Sequence, residues 1–292
     1  MKRLLFCAAL FVAATTGSYA QNQLKLPALS PTTKVTQEFS TSSIELTYSR
    51  PSMRNRKIFG EVVPYGKVWR TGANAPTKIK FGEDVEVNGV KVRAGEYVLY
   101  TIPGKEEWEV IINTGQGERG PDGFPRENDV LRFKVKPSRI DGVCQTFTME
   151  FTDLTYNSCK LEMCWDHTSV TFPIKARNEE KIEANIDATL NHPTLPYFQV
   201  ANYYYETNQK TDVALVYVNK SLDQDPKAFY AWLLKARLEL RAGDYDKAVE
   251  SAKKSMETAK GGAFEDEYIR NGNKIIDEIH KGGDASSQKK TY

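Results

Sequence analysis

Apolar and polar residues alternate along much of the first 175 residues, and the alternation changes period once. From Val35 to Lys175 the apolar positions fall in short alternating or β-branched runs punctuated by turn residues, the pattern of half-buried strands. Ser43–Tyr48 reads as the opening strand. Asp84–Val87 and Val90–Val92 flank Asn88-Gly89, a pair that readily takes the positive φ angles of a two-residue hairpin. Glu96–Ile102 and Glu107–Asn113 enclose Pro103-Gly104-Lys105, a second hairpin. Further strands fit Val130–Val135, Thr146–Phe151 and Leu161–Trp165, with Phe147, Met149 and Phe151 on one face and Leu161, Met163 and Trp165 on another. Turns arrive too often for the long crossovers of a parallel sheet, so an antiparallel β-sandwich is expected over residues 34–177.

After Arg177 the period lengthens to three and four residues, so a domain boundary belongs near residue 178 and an all-α domain over 178–280. Asn178–Leu190 is its first helix, broken at Pro193 and Pro196. A self-match at a shift of 34 residues then aligns Phe198 with Trp232, Asp212 with Asp246, Ala214 with Ala248 and Ser221 with Ser255. With Gly243-Asp244-Tyr245-Asp246-Lys247-Ala248 and Pro226, this stretch resembles tetratricopeptide repeats over roughly residues 194–260. Lys235 and Glu239 depart from that resemblance, standing where such repeats place apolar groups. Tyr203, Tyr204 and Tyr205 are expected to face Tyr230 across the repeats. Glu265–His280 would cap the stack, leaving 281–292 as a disordered tail.

Lys2 and Arg3 precede an apolar run from Leu4 to Ala14, and Ser18-Tyr19-Ala20 offers a cleavage site. Residues 1–20 therefore read as a secretory signal, residues 21–33 as an extended lead-in, and the mature chain as periplasmic or secreted. No later stretch has the apolar length of a transmembrane segment. An oxidising compartment allows one bridge among Cys144, Cys159 and Cys164, and all three pairings stay open. These cysteines have only His167 nearby and lack the spacing of a metal site. Apart from Lys2 and Arg3, 38 basic residues balance 38 acidic ones, which argues against a nucleic-acid partner.

Against this even background, Arg50–Arg70 holds six bases and one acid, Glu61, on Pro- and Gly-rich sequence. One reading makes it a ligand site, in which Arg50, Arg54, Arg56 and Arg70 attract an anion or an anionic glycan while Tyr65, Trp69 and Asn74 supply flat faces and an amide. The other pairs the arginines with carboxylates such as Glu45, Glu83 and Asp84 and sinks Trp69 into the core, making the loop a structural brace. Gly115-Gln116-Gly117-Glu118-Arg119-Gly120 matches the spacing of a dinucleotide fingerprint, but Pro121, Gly123 and Pro125 follow where a helix is needed. Thr114–Asn128 is instead read as a loop, and no cofactor is expected. Asp166 and His167, as neighbours on a strand, are expected to point to opposite faces.

The strings Tyr48-Ser49-Arg50-Pro51 and Val68-Trp69-Arg70-Thr71-Gly72-Ala73-Asn74 carry a further resemblance. Taken with Ala94-Gly95-Glu96-Tyr97, Thr101-Ile102-Pro103, Trp108 and Cys164-Trp165-Asp166-His167-Thr168, they resemble the exported bacterial family known as domain of unknown function 2911, over roughly residues 27–175. The resemblance implies a β-rich envelope or secreted domain frequent in Bacteroidetes, with no settled activity to carry over. Asn55 stands where that family's Gly-Arg-Lys motif has glycine. The functional expectation is thus a noncatalytic binding or scaffold protein, with an anionic small molecule or glycan at the β-domain and a protein partner at the repeats. The alternative is an envelope-polymer hydrolase using His167 or a carboxylate pair.

Overall fold

The computed structural model describes residues 26–115, 126–189 and 196–287, with side chains to Lys281. The expected signal, residues 116–125 of the loop expected over Thr114–Asn128, His192-Pro193 and the last tail residues lie outside the described residues. An antiparallel β region made of two sheets is followed by six packed helices. The larger sheet holds six strands in the order β1-β2-β3-β6-β7-β8, from β1 (Thr32–Phe39), β2 (Ser42–Ser49), β3 (Thr77–Phe81), β6 (Gly95–Ile102), β7 (Trp108–Asn113) and β8 (Asp129–Val135). The smaller sheet runs β5-β4-β10-β9, from β4 (Val85–Val87), β5 (Val90–Val92), β9 (Ser138–Thr152) and β10 (Ser158–Ala176).

Alternation builds the interior between the sheets. Ile44, Leu46 and Tyr48 of β2, Ile79 and Phe81 of β3, and Val110 and Ile112 of β7 meet Phe147, Met149, Leu161, Met163, Trp165 and Phe172 of β9 and β10 in one buried cluster. The Asn88-Gly89 hairpin forms as expected, with Asn88 at φ 47° and Gly89 at φ 85°, pairing Val87 with Val90. Two strands escaped the pattern. β1 is an edge strand whose one exposed face is polar, and β3 spans only five residues.

β9 and β10 do not run in continuous register. Cys164 pairs with Thr148, Asp166 with Cys144 and Thr168 with Arg139, so two interruptions put several extra residues into β9. Across this irregular stretch the disulfide joins Cys144 to Cys164, with Cα atoms 6.1 Å apart, which selects one of the three pairings. Cys159, on the same strand, is a buried thiol.

The helices are α1 (Glu179–Thr189), α2 (Tyr197–Glu206), α3 (Thr211–Gln224), α4 (Phe229–Ala242), α5 (Tyr245–Thr258) and α6 (Glu265–Ser287). The 34-residue shift relates α3 to α5 end to end, and the two bury equivalent positions: Ala214 and Ala248, Val218 and Ala252, Ser221 and Ser255. Gly243 ends α4 at φ 83°. Glu239 is 4% exposed, and burial raises its carboxyl pKa, while Ser251 donates to it at 2.6 Å and Lys235 lies 3.9 Å away. The tyrosine run does not face Tyr230, whose ring packs on Phe198 at 4.8 Å; Tyr203 instead meets Tyr156 of the β9–β10 turn at 6.3 Å. No helix among the described residues is long and apolar enough to cross a membrane.

Asn178, 7% exposed, joins the two regions. Its amide donates to Ser40, Thr41 and Glu83 at 3.1, 2.9 and 2.6 Å, and its backbone carbonyl accepts from Ile182 in the first turn of α1. One residue thus ends the sandwich and begins the helices.

Burial pushes the Cys159 thiol from 9.0 up to about 12. Iodoacetamide at about pH 8 is expected to leave it unlabelled in the folded protein and to label it once guanidinium unfolds the chain. Between roughly pH 9 and the folded value the native state keeps a proton that the unfolded chain loses, so stability falls as pH rises through that range. Denaturant melts of the protein and of Cys159→Ala check this, and a slope unchanged by the substitution refutes it.

Candidate functional site

The arginine-rich segment is the corner at which the chain leaves one sheet for the other. β2 ends at Ser49, and Pro51–Met53 then run along the free side of β9: Phe147 N–H donates to Pro51 O at 2.9 Å, Met53 N–H donates to Gln145 O at 2.8 Å, and Ser52 bridges Thr146. Arg50 sits at the turning point. Its Nε donates to Phe147 O at 3.3 Å and its Nη2 to Thr148 Oγ1 at 2.8 Å. Arg54 donates to Leu29 O at 3.0 Å, Arg56 to Met53 O and Ser52 O at 2.9 and 3.0 Å, and Arg70 to Asn74 O. Among the described residues none of the four pairs with a carboxylate. The acids expected to neutralise them are engaged elsewhere: Glu45 by Lys34 and Lys80, Glu83 by Thr41 and Asn178, and Asp84 by the Ala94 N–H. The guanidinium groups brace the corner, as the second reading has it, but through backbone carbonyls in place of the acids which that reading named.

Beyond the corner the chain plugs the space between the sheets with Ile58, Phe59 and Val63, all buried. Trp69 turns inward. It stacks on Trp165 at 5.9 Å and meets Phe147 and Phe59 edge-on at 5.0 and 6.2 Å, while its Nε1 donates to Gly72 O at 2.9 Å. Its backbone exchanges both hydrogen bonds with Thr101, prolonging the slot that β3 fills beside β6. The next residue but one, Thr71, is fully buried at φ 53°, a costly conformation for a β-branched residue. Hydroxyl contacts hold it there: Thr71 Oγ1 lies 3.1 Å from Thr101 Oγ1, and Thr77 Oγ1 donates to Thr71 O at 2.6 Å. Gly72 follows at φ 154°, where a Cβ would stand 3.1 Å from Ser49 O. Asn55 takes φ 57°, the left-handed conformation that lets it replace glycine, and Asn74 takes φ 60° and donates to Ser30 O at 3.1 Å.

The corner and its two strings lie inside residues 30–174, which match the family described as "Protein of unknown function (DUF2911)". Residues 30–174 are a DUF2911 domain. No curated protein matches the chain. A cavity of the domain lies beside the corner. Its lining includes Tyr65 from the arginine-rich segment, Lys105 from the β6–β7 turn, Ser138 and Arg139 from the start of β9, and His167 and Thr168 from β10, with a volume of about 220 Å³. Phe59 and Trp108, nearly buried and 4.9 Å apart, supply its aromatic floor. Tyr65 is 38% exposed, and its ring lies against Gly60, where a Cβ would come within 2.8 Å of it. The side chains of Lys105 and Arg139 have no hydrogen-bond or ion-pair partner among the described residues.

The broken register of β9 and β10 shapes the histidine. Asp166 adopts φ 58°, and this turn brings its carboxylate to 4.0 Å from His167 Nε2, closer than alternation along a regular strand allows. His167 Nδ1 donates to Gly142 O at 2.9 Å, which leaves Nε2 as the acceptor of the neutral ring. Gly142 and Arg139 belong to the β9 stretch that the disulfide ties to β10. Of the seven residues expected to bind a ligand, the DUF2911 domain places Tyr65 on this cavity. It commits Arg50, Arg54, Arg56, Arg70 and Asn74 to backbone contacts and Trp69 to the aromatic cluster. Lys105 and Arg139 were not expected. Lys105 stood in a recognisable turn, whereas nothing in the sequence around Arg139 signals the irregular strand that carries it to the cavity.

Arg50→Met should destabilise the domain by about 2 kcal/mol, since the Phe147 carbonyl and Thr148 hydroxyl lose charged donors, and Arg50→Lys should recover only part of this because lysine cannot serve two acceptors in a plane. Trp69→Ala should cost about 3 kcal/mol or more. Chemical denaturation compares the variants; Arg54→Ala, at an exposed position, should change stability by less than about 0.5 kcal/mol.

Proposed function

We propose that the protein is an exported, noncatalytic binding protein whose DUF2911 domain holds an anionic glycan or a comparable anionic small molecule, and whose helices engage a protein. The observation that carries this reading is the cavity at Tyr65, Lys105, Arg139 and His167: two cations with no ion-pair partner among the described residues share its lining with the rings of Phe59 and Trp108. Flat apolar rings suit the face of a sugar, and the cations suit a carboxylate or phosphate attached to it. In this reading the corner arginines are positioning residues that hold the Phe59–Tyr65 loop in place. The signal-like start and the disulfide between Cys144 and Cys164 support residence in the periplasm or outside the cell. The exact 34-residue correspondence of α3 and α5 supports a tetratricopeptide-like pairing of the helices.

A second reading, hydrolysis of an envelope polymer, is favoured by the orientation of His167, whose Nδ1 bond to Gly142 leaves Nε2 out of that bond and 4.0 Å from the Asp166 carboxylate.

Titration calorimetry with glucuronate, inorganic phosphate and neutral glucose tests the site. Glucuronate should bind saturably, glucose at least about tenfold more weakly, and the Lys105→Ala, Arg139→Ala double variant should lose at least about tenfold in glucuronate affinity while melting normally. Equal binding of glucose and glucuronate, or an undiminished double variant, overturns the anionic reading. Release of sugar from a uronate-containing polymer that disappears in His167→Ala supports the second reading over the first.

A further inference from the structure

The helices carry a cationic groove separate from the sandwich cavity. It lies among α2, α4 and α6, with a volume of about 570 Å³, and its lining includes Tyr205, Arg237, Arg241, Tyr245, Lys274 and Ile275. Ile275, 5% exposed, belongs to the floor, and Tyr245, 55% exposed, to the rim. Arg241 is held in place: its Nη1 donates to Tyr205 O at 2.7 Å and its guanidinium lies 4.1 Å from the centre of the Tyr205 ring. Most of its N–H donors are left over by that single bond. Arg237 is half-buried, and neither its side chain nor that of Lys274 has a hydrogen-bond or ion-pair partner among the described residues. Three cations therefore face one acid of the lining, Glu278.

Building on the reading that the helices engage a protein, we infer that this groove takes an extended polypeptide segment with acidic side chains at alternate positions. The spacing is what selects the partner. Arg237 and Arg241 are one turn apart on α4, about 6 Å along its axis. In an extended chain, alternate side chains share one side and repeat at about 6.6 Å, so two carboxylates of an acid-x-acid sequence meet the two guanidinium groups in step. Lys274 on α6 faces the same segment from the other wall. Tyr205 and Tyr245 supply apolar surface for the backbone between the acids.

Fluorescence anisotropy with the whole chain tests this, using a labelled octapeptide of four Glu-Ala units that is acetylated and amidated to remove terminal charges. Gln-Ala and Lys-Ala octapeptides serve as comparisons. The Glu-Ala peptide should bind saturably and weaken as salt is raised, with the Gln-Ala peptide at least about tenfold weaker. The Arg237→Ala, Lys274→Ala double variant should lose at least about tenfold in affinity, whereas Lys253→Ala, Lys254→Ala on α5 should stay within about twofold. Equal losses in the two double variants overturn the inference, because general attraction to lysine and arginine then explains binding. Binding of Lys-Ala or Gln-Ala peptide in preference overturns the acidic specificity while sparing the groove as a protein site. If none of the three peptides binds but phosphatidylglycerol vesicles do, both the inference and the protein-binding reading of the helices fail.

Discussion

A chain that leaves one sheet and runs beside the other must still find partners for its backbone carbonyls, and the rest of the sandwich depends on how this is met between Ser49 and Asn74. The corner is too irregular for ladder bonds alone. Arginine supplies what the ladder lacks, since its fork reaches several acceptors from one Cα: Arg50 does so at the part-buried Phe147 carbonyl, while Arg54, Arg56 and Arg70 donate at the exposed surface to the carbonyls of Leu29, Met53, Ser52 and Asn74. The charge is a by-product of that geometry. Because the acceptors are neutral, no acid is needed nearby, which is why a segment so rich in bases survives in a chain of even charge.

Much of the architecture was legible because its signals are local. The Asn88-Gly89 turn dictates its own backbone, and β10 alternates from Cys159 to Trp165 as a half-buried strand must, whereas β6 and β7 are buried on both faces, Val98, Tyr100 and Ile111 forming a separate buried cluster. The change of period, expected near residue 178, falls between the end of β10 at Ala176 and the start of α1 at Glu179. β1 was hidden by its position at an edge, where Thr32, Lys34, Thr36 and Glu38 face water and only Phe39 is fully covered. The first half of β9 was hidden by Asp141 and Gly142, whose presence reflects the broken register rather than a turn.

The site was less legible for a single physical reason. Carbonyl oxygens are the same in every residue, so the composition of β9 does not advertise that Phe147 will accept from Arg50. The sequence singles out the arginines but not their task. Tyr65 emerges as the link between the two halves of the story, because the plug formed by Ile58, Phe59 and Val63 carries it from the corner to the cavity. Arg139 and His167 arrive there by a different route, on strands whose irregularity the disulfide spans.

The distance along the chain between the corner's partners has a kinetic meaning. Arg50 reaches acceptors 97 and 98 residues later, and Ser52 meets Thr146 across 94. A nascent chain emerging amino-terminus first holds this segment unsatisfied until most of the sandwich has appeared, while the β1–β2 and β4–β5 hairpins close at once. The stretch that most distinguishes the domain is therefore among the last to settle. Its hydrophilic arginines keep that waiting segment hydrated during the interval, a benefit that an apolar plug alone does not provide.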